Sequence, residues 1–152
     1  MKHTLLLAAG FATALSTSAM AQNPFEMPHD ARQGVMAILG INMGILGGMA
    51  RGRMDYDADE AQSAANSILG VSMVDFVSFF PEGSDEMGLD GTRAAMDIWD
   101  NMDGFTAEWM KVQMGAPALA EAAGQGKDAM AAALGGVGGT CRSCHMSYRA
   151  PE

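Results

Sequence analysis

The 152-residue sequence predicts an all-α protein, an antiparallel bundle of four helices. Apolar residues recur at helical spacing in four segments, loops rich in glycine and polar residues separate these segments, and no segment has a convincing strand pattern. Helices joined by short polar loops fold most economically as an antiparallel bundle, and the core of such a bundle is a common place for a cofactor.

The first 21 residues have the pattern of a cleaved export signal. A positive start at Lys2 precedes an apolar run over residues 5–15, and Ala19-Met20-Ala21 is a small-x-small cleavage site. We therefore expect one mature domain, residues 22–152, of a usual length for a single core. The apolar run is shorter than the about 20 residues that cross a bilayer, and no other stretch approaches that length, so we expect a soluble chain with no membrane partner.

The first helix is predicted from about His29 to Arg53, because Met36, Met43 and Ala50 follow one line along it. This helix is rich in glycine, and each glycine costs about 1 kcal/mol relative to alanine inside a helix. We therefore expect a close neighbour on that face, either another helix or a flat ring.

The second helix is predicted to begin at Asp57, whose side chain caps it together with Glu60 three residues later. It is predicted to end near Phe80, because Pro81 stops it. A loop of glycine, serine and acidic residues follows.

The third helix is predicted from about Thr92, and Pro117 is expected to end or kink it. After the Gly124-Gln125-Gly126 break, a fourth helix is predicted from about Asp128 to Arg149.

The fourth helix carries Cys141-Arg142-Ser143-Cys144-His145, the C-x-x-C-H arrangement that attaches c-type haem. On a helix, both thiols and the imidazole lie on one face, so one ring can bond to all three side chains. The alternatives are a redox C-x-x-C, half of a zinc site and a disulfide. They fit less well, because no βαβ pattern is present, structural zinc needs four ligands, and a disulfide leaves His145 without a role.

The sequence therefore predicts one covalent haem c near the C-terminus, attached through Cys141 and Cys144, with His145 as an axial ligand of the iron. The group that fills the sixth position of the iron decides between electron transfer and gas binding.

The export signal and the single C-x-x-C-H motif together indicate the bacterial periplasm. The formal charge of −9 becomes −10 when Lys2 is removed, since residues 1–21 contain no other Lys or Arg and no acid. Such an acidic surface argues against nucleic acid and anionic lipid, and favours solubility or a basic docking partner. It does not identify a redox partner.

The block Cys141-Arg142-Ser143-Cys144-His145-Met146-Ser147-Tyr148-Arg149 closes a chain whose first helix opens Arg32-Gln33-Gly34-Val35-Met36. Tyr56-Asp57 lies in the first loop and Ile98-Trp99 in the third helix. In these features the mature chain resembles cytochrome c prime. The resemblance implies a four-helix bundle with one covalent haem c, His145 as the proximal ligand, and commonly a five-coordinate, high-spin iron. Members of the family bind nitric oxide and carbon monoxide, are often dimers, and are linked to electron transport or protection against nitric oxide.

The resemblance also implies roles for residues outside the motif. By position, Arg32 looks like the haem-propionate partner, Met36 like the residue over the distal face, Phe79 like a ring that packs on haem, and Arg149 like the proximal-side arginine. The alternative for both arginines is a solvated surface charge, and for Phe79 it is plain core packing. Tyr148 is interpreted as a packing residue with a hydrogen-bonded hydroxyl.

Met36 separates two functions. A thioether as sixth ligand gives a low-spin iron with a raised potential, suited to electron transfer, and low-spin relatives on the same bundle use a first-helix methionine aligned with Met36. If Met36 only covers the face, the iron stays open to nitric oxide and carbon monoxide, which is our preferred hypothesis. Other methionines are interpreted as core residues, since Met fills irregular gaps well: Met43, Met49, Met73, Met96 and Met110.

We expect no enzymatic activity, because peroxidase chemistry needs distal acid-base groups and the first helix around Met36 offers no histidine. A homodimer through the first two helices is expected from the resemblance and from the small residues, which let helices approach closely.

Overall fold

The structure, a computed structural model, describes residues 23–151, so the predicted signal peptide lies outside the described residues. The described chain is helical, and its only β-type pairing is an isolated bridge between Ala94 and Arg149. The α-helices are α1 Glu26–Ala50, α2 Ala58–Ser72, α3 Asp97–Asp100, α4 Met102–Ala122 and α5 Lys127–Tyr148. Two short 3-10 helices lie at Phe76–Phe79 and Ala123–Gln125.

The four long helices form the predicted antiparallel bundle. Helix α1 packs against α2 and α5, and α4 packs against the same two helices. Large apolar side chains from all four meet in the centre, among them Leu46, Ile68, Leu119 and Met130, which are fully buried. The predicted fold class is therefore confirmed.

Helix α2 begins as predicted but ends earlier. The Asp57 side chain accepts a hydrogen bond from the backbone N–H of Glu60 at 2.8 Å. The predicted end near Phe80 is wrong, because the helix stops at Ser72. The turn that follows brings Phe76 into the core, with its ring centroid 4.5 Å from that of Trp109. This aromatic contact joins distant parts of the chain, so helical periodicity could not indicate it.

The predicted start of the third helix at Thr92 is also wrong. The residues after Thr92 pair with the C-terminus instead: Ala95 N–H donates to the Tyr148 carbonyl at 3.1 Å, and Ala150 N–H donates to the Arg93 carbonyl at 2.9 Å. The long helix α4 begins only at Met102, after the single turn α3.

Helix α4 runs through Pro117 to Ala122, so the predicted break at Pro117 does not end the helix. Ala116 and Leu119, on either side of the proline, are completely buried. Packing of these neighbours holds the helix together although Pro117 contributes no N–H. Helix α5 agrees with the fourth predicted helix and follows Gly126, whose φ of +123° suits glycine.

The methionines divide between core and surface. Met49 is fully buried and Met43 is partly buried, as interpreted from the sequence. Met73, Met96 and Met110 are at least half exposed, so their assignment to the core is wrong. Met110 follows Trp109, and burial of the larger Trp109 ring turns Met110 towards solvent.

Within residues 23–151, α1 is long and apolar enough to cross a membrane by length and composition, contrary to the expectation that no mature stretch would be. Its Leu39, Leu46 and Met49 side chains are buried in the bundle. We therefore interpret α1 as a helix of the core. A Cβ atom at Gly47 or Gly48 would meet the side chain of Arg51 or Met54, whereas one at Gly34, Gly40 or Gly44 would meet no atom of the described chain. The predicted neighbouring helix is therefore not seen at these three positions, and the close approach of a flat ring stays a prediction.

Candidate haem site

A cavity of about 660 Å³ lies between α1, α4 and α5, in the range of sites that hold cofactors. We call its two sides the α5 wall and the α1 wall. The α5 wall carries Cys141, Cys144 and His145 together with Glu108 of the neighbouring helix α4. The α1 wall carries Arg32, Met36, Leu39, Gly40 and Met43.

The two cysteines on the α5 wall are free and partly buried. Burial raises the pKa of the Cys141 thiol, and it raises the pKa of Cys144 to about 11, with a smaller contribution from the negative charge of Glu108. Both side chains are therefore neutral thiols at neutral pH. They are not joined in a disulfide, and the described residues contain no cluster of three or more groups suited to a metal ion, so the disulfide and zinc alternatives gain no support.

His145 lies on the same wall as the thiols. Partial burial lowers the pKa of its imidazole, and the positive charges of Arg149 and Arg93 lower it further. The neutral imidazole is thus favoured at neutral pH, and this is the form that binds iron. Among the described residues that line the cavity, His145 is the only histidine.

Arg32 is buried, with 4% of its surface exposed, so the alternative of a solvated surface charge is wrong for this residue. Its Nη1 donates to Ser84 Oγ at 3.0 Å, and its Nη2 donates to the Ser84 carbonyl at 2.7 Å and to Thr92 Oγ1 at 2.9 Å. The guanidinium also lies 4.9 Å from the centre of the Phe80 ring.

No carboxylate among the described residues pairs with Arg32. Burial alone lowers the pKa of its guanidinium. A buried cation without a counter-charge is costly, so this position favours an anionic group such as a haem propionate.

Two further arginines lie at the cavity. Arg149 is exposed and lines the mouth, so its proximal role stays a prediction. Arg93 donates from Nε and Nη2 to the Ala150 carbonyl at 2.9 and 2.6 Å, which holds the C-terminal residues beside the cavity. Sequence reasoning did not identify Arg93, because the Ala150 carbonyl that it binds lies 57 residues away along the chain.

The aromatic lining differs from the expectation. Phe76 and Phe80 line the cavity, whereas Phe79 does not and packs with its ring 6.3 Å from that of Phe76. A contact between Phe79 and haem stays a prediction. Tyr148 is a buried packing residue, and Asn101 Nδ2 donates to its hydroxyl at 3.2 Å, as interpreted from the sequence.

These features fit haem c. The cavity is largely apolar, two thiols and a neutral imidazole lie on its α5 wall, and its α1 wall offers one buried cation. Bound haem supplies an iron that can exchange an electron or bind a small ligand. Cys141 and Cys144 would hold the ring covalently, and His145 would supply an axial imidazole.

The profile of the family described as "Cytochrome C'" matches residues 28–149. The chain belongs to the cytochrome c' family. It is similar to cytochrome c' of Cereibacter sphaeroides, with 37% identity over 149 residues that cover 98% of both chains. Cytochromes c' bind haem c covalently, so the predicted cofactor is confirmed.

Solved structures of this family share the fold. Cytochrome c' from Rhodobacter spheriodes matches with a TM-score of 0.81 and 35% identity, over 86% of this chain and all of the other. The nitric oxide complex of a variant of cytochrome c prime from Alcaligenes xylosoxidans matches with a TM-score of 0.70 and 25% identity, over 84% of this chain and 97% of the other.

Proposed function

We propose that this chain is a periplasmic cytochrome whose haem iron is five-coordinate and high-spin. It binds nitric oxide and carbon monoxide at the open position and takes part in electron transfer. The observation that carries the proposal is the composition of the α1 wall, where Met36, Leu39, Gly40 and Met43 form an apolar surface.

An apolar wall suits small neutral gases better than it suits water or anions. In this proposal, Met36 covers the distal side of the iron and limits access sterically. The solved nitric oxide complex of the Alcaligenes xylosoxidans relative supports gas binding by a protein of this fold.

The second candidate is a dedicated electron carrier with Met36 as sixth ligand. Met36 lines the cavity, and its unbranched side chain has three rotatable bonds, so the thioether is adaptable enough to reach an iron. A closed His/Met iron would have a raised potential and would resist gases.

The optical spectrum of the ferrous holoprotein separates the two candidates. We expect a broad, unsplit high-spin band, uptake of carbon monoxide and nitric oxide, and faster gas binding in Met36→Ala. The control is Met43→Ala, which enlarges the same wall about two turns further along α1. Sharp, split low-spin bands in the wild type, with carbon monoxide binding restored only in Met36→Ala, would overturn gas binding in favour of the carrier.

We also propose that the chain is not an enzyme. Peroxide chemistry requires a distal general acid-base group of suitable pKa, and the α1 residues that line the cavity include no histidine and no carboxylate. Turnover of hydrogen peroxide with an electron donor, compared with that of free haem, tests this proposal. A rate well above that of free haem would contradict it.

We propose a homodimer through the outer face of α1. Met27 and Ile41 on that helix are 81% and 65% exposed, and Gly34 and Gly44 leave open space for a partner helix. Small residues permit close approach, and exposed apolar surface favours burial. Sedimentation at micromolar concentration should show a dimer that Ile41→Glu converts to monomer, while Met114→Glu on the exposed side of α4 leaves it intact. A monomeric wild type would contradict the dimer and leave the gas-binding proposal untouched.

A further inference from the structure

Glu108 contributes a carboxylate to the α5 wall of the haem cavity. It lies on α4, outside the C-x-x-C-H motif. Its side chain is 15% exposed, and it lies on α4 where that helix packs against α5. Oε2 accepts a hydrogen bond from Ser143 Oγ at 2.5 Å, and Oε1 accepts one from Lys111 Nζ at 2.6 Å. Ser143 directly precedes Cys144, so the carboxylate is held beside the attachment segment.

The two hydrogen bonds favour the charged carboxylate. They lower the pKa of Glu108, with the bond from Lys111 as the largest cause and the bond from Ser143 next. A negative charge is therefore fixed in position on the α5 wall.

We propose that Glu108 is a positioning and electrostatic residue that lowers the reduction potential of the haem, and that Lys111 partly offsets this effect. Ferric haem carries one more positive charge than ferrous haem, so a fixed carboxylate nearby favours the ferric state. Charges in a protein wall interact more strongly than charges in water, and nearby charges and hydrogen bonds are among the factors that set the potentials of haem proteins. The inference depends on the covalent haem c and not on which group fills the sixth position of the iron.

The electrostatic effect of Glu108 can be tested separately from any effect on the structure of α5. The Ser143 hydroxyl also lies 3.1 Å from the Thr140 carbonyl, so it keeps an acceptor when Glu108 is changed. Glu108→Gln is nearly isosteric and retains an oxygen that can accept the bond from Ser143 while removing the charge. Lys111 is 53% exposed, so a change at Lys111 removes a charge without opening the core.

The test is a spectroelectrochemical titration of the holoprotein at pH 7. We expect Glu108→Gln to raise the reduction potential, because it removes a negative charge near the haem. We expect Lys111→Gln to lower the potential, because the negative charge of Glu108 is then no longer partly neutralised by Lys111. The double variant should lie between the two single variants. Glu121→Gln is the matched control, because it removes the same charge from an exposed position about 20 Å further along α4 and should leave the potential unchanged.

Two results would overturn the proposal. One is an unchanged or lowered potential in Glu108→Gln with an unaltered optical spectrum. The other is a full shift in Ser143→Ala, since that variant keeps the charge and loses only the hydrogen bond. Carbon monoxide binding by the same variants is measured separately, so failure of the gas-binding proposal leaves the titration interpretable.

Discussion

The two walls of the cavity are built in different ways. The α5 wall takes its haem-attachment residues from one five-residue motif, and helical spacing alone places Cys141, Cys144 and His145 on one face. On the α1 wall, the buried cation Arg32 depends on Ser84 and Thr92, which are 52 and 60 residues away. Local spacing thus specifies the attachment chemistry, whereas long-range packing specifies the opposite side of the site.

The largest expected effect is loss of the covalent bonds on the α5 wall. Replacing both Cys141 and Cys144 with serine should yield a protein whose haem is extracted by acid acetone, while wild-type material from the periplasm should carry one haem by mass and begin near Gln22. A cofactor that fills the cavity supports the bundle, so the apoprotein should lose about 3–5 kcal/mol of unfolding free energy, the scale of large core truncations. Equal denaturant midpoints for apoprotein and holoprotein would show that haem lies outside the bundle.

His145→Ala tests the axial ligand separately from the covalent attachment, because it leaves the thioether bonds and removes the imidazole. The haem should remain attached by mass while its ferric and ferrous spectra change. Unchanged spectra would rule out His145 as the axial ligand.

The next effect tests the α1 wall. Arg32→Leu should destabilise the holoprotein by about 1–3 kcal/mol, since it removes the donor to the buried Ser84 carbonyl, whereas Thr92 Oγ1 still accepts a hydrogen bond from Ala94 N–H at 3.2 Å. Thr92→Val should cost less, about 1 kcal/mol, and Thr92→Ser should restore the hydrogen bond. Urea denaturation measures both changes.

Arg142→Leu, on the exposed face of α5, is the control for charge loss and should stay within about 0.5 kcal/mol of wild type. If Arg32→Leu lowers the free energy of unfolding by no more than Arg142→Leu does, the hydrogen bonds of Arg32 do not stabilise the α1 wall.

At Gly104, helix α4 lies close to the C-terminal end of α5. A Cβ atom at Gly104 would clash with the Tyr148 hydroxyl and with Asn101 Nδ2. Gly104→Ala should therefore destabilise the protein by about 1–3 kcal/mol, as overpacking does. Gly135→Ala, inside α5 where the Cβ position is open, should stabilise by about 0.5–1 kcal/mol. Thermal unfolding of the two variants should shift in opposite directions, and shifts of the same sign would contradict this close approach.

The smallest expected effect concerns pH. The pKa of Glu108 is lowered in the folded protein, so its contribution to stability is present above the ordinary value of 4.5 and is lost as the pH falls through the lower folded value. Unfolding measured between about pH 6 and pH 3 should show a shallower acid decline for Glu108→Gln than for wild type. The exposed Glu121→Gln variant should follow the wild-type curve of stability against pH. If Glu108→Gln declines with the same slope as the wild type, the hydrogen bonds of the Glu108 carboxylate do not contribute to stability.

Several features of this protein follow from the sequence by itself. Helical periodicity and the glycine break at Gly126 predict the α5 helix, and Asp57 predicts the start of α2 through its cap. The C-x-x-C-H motif predicts covalent haem. Each of these signals involves residues within one or two turns of each other, so each can be read without knowing which distant residues pack nearby.

Other features depend on contacts between residues far apart in the chain. Helix α2 ends at Ser72 because the aromatic core takes up Phe76, and α4 begins at Met102 because the residues before it pair with the C-terminus. The exposure of Met110 and the bonds of Glu108 to Ser143 likewise depend on which helix faces meet. Partners separated by 33 to 60 residues leave no periodic or motif signal along the chain, since only the packing of the helices brings them into contact.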